Sequence, residues 1–298
     1  MRQTMHRRRF LATSVATVTV GKALIPCPSV RADTPTLSAG QPPLRIGLMT
    51  YLLAAKWDLD TVIRRCREAQ FEHVELRTTH AHGVEVTLSK AERAKVRKKF
   101  EDAGLKLSLA SGFSYHWPDP KKLRANIEGT KQYAILAHDI GAIGIRVFPN
   151  AILVDQGIRE EKTLAQIGRA LAEVGEFAAN LGVEIRVSNH GKGTNRITQT
   201  KKILDYADSP HVYVNWNCDP TDVETPGFEA NFRLVRDRIR NVHMHDLYNP
   251  SYPYRKLFAL LRAAKYQGYC DAEVGPSCEP ETFMKYYRAL FLALQNAI

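Results

Sequence analysis

The chain has 298 residues, 44% of them hydrophobic, enough for a sizeable core in one large or two modest domains. Its formal charge of +11 is concentrated at one end. Six basic residues (Arg2, Arg7, Arg8, Arg9, Lys22 and Arg31) precede Asp33, the first acidic residue, so a product beginning there carries six fewer, +5. That mild excess contains no basic block and argues against a nucleic acid partner.

Residues 1–32 read as an export signal. Arg7-Arg8-Arg9-Phe10-Leu11 leads into a weakly apolar stretch from Leu11 to Val20, broken by Lys22, and then into Val30-Arg31-Ala32 with small residues at the cleavage positions. The pattern resembles a twin-arginine signal, which implies export of the folded protein to the bacterial periplasm. Residues 33–43, rich in Thr, Ser, Gly and Pro, read as a linker, and residues 44–298 as one folded domain. No later run reaches the ~18 apolar residues of a membrane span. Cys66, Cys218, Cys270 and Cys278 follow no zinc-binding spacing, and a chain of this length does not need disulfides.

From residue 44 onward, short apolar runs alternate with segments of helical period. Leu44 to Met49 is the first strand, and Asp58 caps a helix with Leu59, Val62, Ile63, Cys66 and Ala69 on one face. His73 to Leu76 is the second strand, followed by a capping box at Ser89-Lys90-Ala91-Glu92 and a helix that stops at Gly104. Strand three is Lys106 to Ala110, and Leu123 to Ile140 is helical up to Gly141. Strand four is Gly144 to Phe148, before a helix running from Leu164 to a stop at Gly182. Strand five (Val183 to Ser188) precedes a short helix near Thr198 to Tyr206. Strand six (Val212 to Trp216) precedes a helix with Phe228, Phe232, Val235 and Ile239 on its apolar face. Strand seven is Asn241 to Asp246, then a helix holds Leu257, Leu260, Leu261 and Ala264. Strand eight is Tyr269 to Val274, and a last helix carries Phe283, Tyr286, Leu290 and Leu294.

Eight strand–helix units in this length point to a closed α/β barrel of parallel strands, the TIM (β/α)8 architecture, which takes ~250 residues. The alternative, a doubly wound open sheet, usually carries a Gly-rich turn after its first strand, and none follows Met49. In a barrel the strand C-termini share one mouth. Glu75, Arg146, Ser188-Asn189-His190, Asn215-Trp216-Asn217, His243, His245 and Glu273 then become neighbours. Side-chain alternation puts His243 and His245 on one strand face. Trp216 has the parity of packing, and Arg146 either pairs with Glu75 or brings positive charge to the site.

Three motifs carry a resemblance: Ser188-Asn189-His190-Gly191, Val242-His243-Met244-His245-Asp246, and the final strand from Tyr269 to Glu273. With them the chain resembles the sugar phosphate isomerase/epimerase family, the xylose isomerase-like barrels that include ketose 3-epimerases and inosose dehydratases, over essentially all of residues 44–298. The resemblance implies a divalent metal (Mn, Mg or Zn) held by Glu, Asp, His and Glu from strands five to eight. Here His243 and Glu273 retain two ligands, while Ser188 and Asn217 replace the two others. Loss of two carboxylates weakens any site for a hard cation. The resemblance implies proton abstraction beside a carbonyl of a sugar or keto-sugar, with Glu273 as general base, His243 or His245 as proton shuttle, and Arg146 supplying cationic charge. It further implies that Glu75, Ser188, Asn189, His190 and Asn217 contact the carbohydrate. Two further expectations are β-elimination from a 3-keto-glycoside by a lyase, and a metal-free barrel that binds carbohydrate without turnover. DNA repair, known in another branch of these barrels, fits poorly with export.

Overall fold

A computed structural model describes residues 42–296; the stretch read as an export signal and most of that read as a linker lie outside the described residues. The first four units are β1 Arg45–Met49 and α1 Leu59–Glu68, β2 His73–Arg77 and α2 Lys90–Ala103, β3 Lys106–Ser114 and α3 Pro120–Ile140, and β4 Gly144–Phe148 and α4 Glu160–Ala179. The last four are β5 Glu184–Ser188 and α5 Ile197–Ala207, β6 Val212–Asn217 and α6 Phe228–Val235, β7 Ile239–Met244 and α7 Tyr254–Ala263, and β8 Tyr269–Ala272 and α8 Pro280–Leu294. All neighbouring barrel strands pair in parallel, and Arg45–Leu48 against Tyr269–Ala272 closes the ring. The fold is thus the closed barrel, and the open-sheet alternative is excluded. Among the described residues, no helix is long and apolar enough to cross a membrane.

Local chemistry sets the helix ends. Asp58 accepts a hydrogen bond from the Thr61 N–H at 2.8 Å, and Ser89 with Glu92 forms the expected capping box. Helix α3 starts three residues before its apolar stripe because Asp119 caps it and Pro120 takes the first position, where no N–H is needed. The sixth helix stops earlier than its apolar spacing suggests. Arg236–Arg238 tightens into a 3-10 turn, and Ile239 already pairs in register with Val214. Arg238 draws the chain in by donating to the carbonyls of Ser209, Pro210 and Val212.

Along the strands, residues of one parity (Ile46, Val74, Leu107, Ile145, Val187, Val242) are buried in one apolar cluster with helix residues such as Val62, Phe100, Leu171 and Phe258. Residues of the other parity meet inside the barrel, and there the chain departs from the aliphatic filling usual for this architecture. Arg186 Nη1 donates to Ser108 Oγ at 3.2 Å, and the Ser108 hydroxyl lies 2.6 Å from His73 Nε2. His73 Nδ1 in turn lies 2.8 Å from Asp271 Oδ1, while Asn241 Nδ2 donates to Asp271 at 2.9 Å and to Glu75 at 3.3 Å. These side chains come from β2, β3, β5, β7 and β8, so the lumen is a hydrogen-bonded polar layer. Its bulk explains two glycines: a Cβ on Gly47 would stand 1.9 Å from Asp271 Oδ1, and one on Gly144 would stand 2.6 Å from Arg186 Nε.

Candidate active site

Above this layer, at the C-terminal ends of the strands, lies a cavity of about 180 Å³ lined by Tyr51, Arg77, Arg146, Phe148, Ser188, His190, Asn217, His243 and Glu273. It is smaller than the ~300–1,000 Å³ of pockets for drug-sized ligands. A larger cavity of about 710 Å³ opens at the opposite end, beside Arg45, Glu184 and Tyr269. Chemistry in barrels of this kind sits at the C-terminal face, where the smaller cavity gathers the titratable groups.

His243 is the centre of the site. Its Nε2 lies 2.5 Å from Glu75 Oε2 and its Nδ1 lies 3.2 Å from Glu273 Oε2, so one imidazole bridges two carboxylates. Burial alone would lower its pKa, but the adjoining Glu75 and Glu273 outweigh burial and push it up to about 9. Burial would likewise raise Glu273, yet the His243 hydrogen bond and charge, with Arg146 behind them, bring it down to about 2.

Arg146 is the second anchor. It projects from β4 with 3% of its surface exposed, and its guanidinium lies 4.0 Å from the Phe148 ring centre. Its Nη1 reaches the Ser111 carbonyl at 3.4 Å and its Nε has no hydrogen-bond partner. Among the described residues it makes no ion pair, so the expected pairing with Glu75 is corrected: Glu75 is taken by His243 and Asn241 instead.

The structure brings Arg146, Ser188, His190, Asn217, His243 and Glu273 together at one cavity. It separates three others. Glu75 is fully buried below the cavity and reaches it only through His243. Asn189 is spent on the fold: its Oδ1 accepts the Asn217 N–H at 2.7 Å and its Nδ2 donates to the Asn217 carbonyl at 2.8 Å. His245 does not share a cavity with His243, because β7 ends at Met244. The chain turns there, with the His245 N–H donated to the Tyr254 hydroxyl. The His245 ring lies 3.2 Å from the Glu273 carbonyl and faces a neighbouring cavity of about 610 Å³ with Tyr286 and Tyr287. Trp216 is fully buried, donating its N–H to the Tyr252 hydroxyl. Sequence reasoning missed Arg77, Tyr51 and Phe148. Arg77 shares strand parity with His73 and Glu75, a signal that was available; Tyr51 lies in the β1–α1 loop and offered none.

The donor set decides how a metal would fit. Ser188, Asn217, His243 and Glu273 offer a single carboxylate, both imidazole nitrogens face carboxylates, and two guanidiniums share the cavity. A hard divalent cation does not fit that arrangement. Glu75, His243 and Asp271 do bring one ligand atom each within 4.8 Å of one another, a geometry that could hold an ion. Their atoms, however, are engaged by Glu273, His73 and Asn241, so binding there would break the bonds that fill the lumen.

The closed barrel of eight parallel strands, with helices between them, defines a TIM-barrel protein. The chain belongs to the xylose isomerase-like TIM barrel family, whose model matches residues 63–286. It is similar to an L-ribulose 3-epimerase structure at 18% identity and TM-score 0.70, covering 85% of this chain and 95% of that one. A 3-keto-D-glucoside 4-epimerase from E. coli aligns at 16% identity and TM-score 0.68, covering 84% and 99% of the two chains. A probable 3-DHS dehydratase from Bacillus anthracis aligns at 16% identity and TM-score 0.65, covering 86% and 100%. At these identities the likeness is one of fold. No curated protein matches the sequence.

Proposed function

We propose that the protein is a sugar isomerase/epimerase-type enzyme that removes a proton from the carbon beside a carbonyl of a sugar or keto-sugar. The observation that carries this reading is the Glu273–His243–Glu75 relay opening into a small polar cavity beside Arg146. Glu273 Oε takes the proton. The C–H electron pair becomes the carbon–carbon double bond, and the carbonyl oxygen becomes an enediolate oxygen that Arg146 stabilises. Passing the His243 Nε2 proton to Glu75 removes the positive charge that holds Glu273 down, which strengthens the base as the substrate proton arrives. Glu273 then returns the proton to the former carbonyl carbon while the hydroxyl proton on the deprotonated carbon passes to the former carbonyl oxygen, giving the isomer. Ser188 stands where a second carboxylate would be needed, which favours such a one-base course over inversion by two bases. The same intermediate can instead expel an oxygen substituent from the β-carbon, which takes up a proton as it leaves; this is the elimination reading.

The test is to incubate the purified protein with a panel of keto-sugars and 3-keto-glycosides and follow products by NMR. An isomerised or eliminated product supports the reading. Saturable sugar binding without any product would leave a carbohydrate-binding barrel.

Export through the twin-arginine route belongs to this proposal, on the strength of Arg7-Arg8 before Phe10-Leu11. Changing both arginines to lysine traps the precursor in the cytoplasm if it is right; undiminished delivery to the periplasm would refute it.

A further inference from the structure

An enediolate requires one nearby cation, and this cavity holds two guanidiniums. Arg77 reaches it from the end of β2, where its Nη1 donates to the Thr78 carbonyl at 3.0 Å and the Thr78 hydroxyl at 2.6 Å, both neutral. Arg77 makes no ion pair among the described residues. Glu85, in the loop that follows, is engaged by the Thr79 N–H and the Tyr133 hydroxyl. Arg77 and Arg146 converge on the Ser111-Gly112 segment of β3: Arg146 Nη1 points to the Ser111 carbonyl, and a Cβ on Gly112 would stand 3.2 Å from Arg77 Nη2. Each is backed by an aromatic ring, Tyr51 for Arg77 at 6.0 Å and Phe148 for Arg146 at 4.0 Å. The two carboxylates near the cavity, Glu75 and Glu273, both face His243.

Arg146, buried with an unpartnered Nε, and the half-buried Arg77 line one cavity without an ion pair among the described residues, an arrangement that is costly unless an anion completes it. Planar guanidiniums suit a planar carboxylate, which each can grip with two parallel N–H donors. The small cavity leaves little room for a sugar plus a bulky phosphate. We infer that the substrate is a monosaccharide acid, a sugar or keto-sugar bearing a carboxylate, with that carboxylate held by Arg77 while Arg146 is left for the enediolate oxygen. This rests on the proposed reading of the site and names its substrate class.

The test compares D-glucuronate and D-galacturonate with D-glucose, D-galactose and D-glucose 6-phosphate by calorimetry, up to about 10 mM, well above a Kd of ~1 mM. The acids should bind at least about 10-fold tighter than their neutral counterparts, with a preference that weakens as salt rises. In Arg77→Gln that preference should collapse to within about twofold, whereas Arg77→Lys, which keeps the charge and loses the fork, should retain part of it. Thermal melts of both variants confirm folding. Equal affinity for acids and neutral sugars, tighter binding of the phosphate, or no saturable binding of either acid would each overturn the inference. Glu273-dependent turnover of neutral keto-sugars only would overturn it while leaving the proposed reaction standing. Arg77-dependent acid binding without turnover of any sugar would uphold it and sink the reaction.

Discussion

The lower lumen and the mouth of the barrel are built by the same eight strands with the same side-chain alternation, yet they treat charge in opposite ways. Below, His73 is held between Asp271 and Ser108, and Arg186 pairs with Glu184 at 2.7 Å. Above, Arg146 and Arg77 share a cavity with Glu273, Ser188 and Asn217, yet among the described residues neither makes an ion pair, because Glu273 faces His243. The difference teaches which polar residues serve the fold and which are held for something else. Arg186, paired, locks the barrel, whereas Arg146, buried and without an ion pair, lowers stability and is retained for its chemistry.

The largest expected effect follows from breaking the lower layer. Asp271→Ala strands His73 and Asn241 in a fully buried site and should cost about 3–5 kcal/mol in urea unfolding, the scale for removing one partner of a buried pair. Arg146→Met at the mouth should instead be neutral or raise stability by up to about 1–3 kcal/mol, since no ion pair is lost. Equal destabilisation by the two changes would erase the distinction. Next in size is Gly47→Ala, whose new methyl would collide with Asp271 Oδ1; overpacking of this kind costs about 1–3 kcal/mol, visible as a lowered denaturation midpoint.

An effect of similar size should appear with pH. His243 has a folded pKa of about 9 against an ordinary 6.5, so the folded state binds the extra proton. Its contribution to stability is complete below pH 6.5 and is lost as pH rises through about 9. Unfolding series across that window should show stability falling in the parent and falling less in Glu75→Gln, which removes one of the two carboxylates. A parallel decline in both proteins would assign the pH dependence elsewhere. The smallest effect is expected from metal. Dialysis against a chelator should shift the melting temperature of the parent negligibly, while Ser188→Glu with Asn217→Asp should create a site whose melting temperature rises with added Mn²⁺. Stoichiometric metal in the parent after such dialysis would contradict the reading of the donor set.

Most of the fold was legible because its signals are local. Asp58, Ser89 and Gly104 mark helix ends by hydrogen-bonding chemistry and backbone freedom, and the outward parity of Ile46, Val74 and Val187 is unbroken. The end of α6 was not legible, because Ile239 is apolar enough for helix or strand and its pairing with Val214 decided between them. At the site, the convergence of Ser188, Asn217, His243 and Glu273 followed from strand order alone. What the sequence could not show was the partner of each group. Glu75 could bond Arg146 or His243, and only the lumen geometry puts it 2.5 Å from the histidine. Asn189 reads as a ligand contact by motif and is a loop pin by hydrogen bonding. His245 has the parity of His243, but the strand ends before parity can act.

Solvent deuterium incorporation into keto-sugars and keto-acids measures directly whether Glu273 removes a carbon-bound proton. Glu273→Gln keeps the size and a carbonyl oxygen but abolishes basicity. The variant should still bind substrate by calorimetry, while exchange falls by roughly 10²-fold or more, the usual scale of a general base. Exchange in Glu273→Gln as fast as in the parent would contradict the account and pass the role to His243.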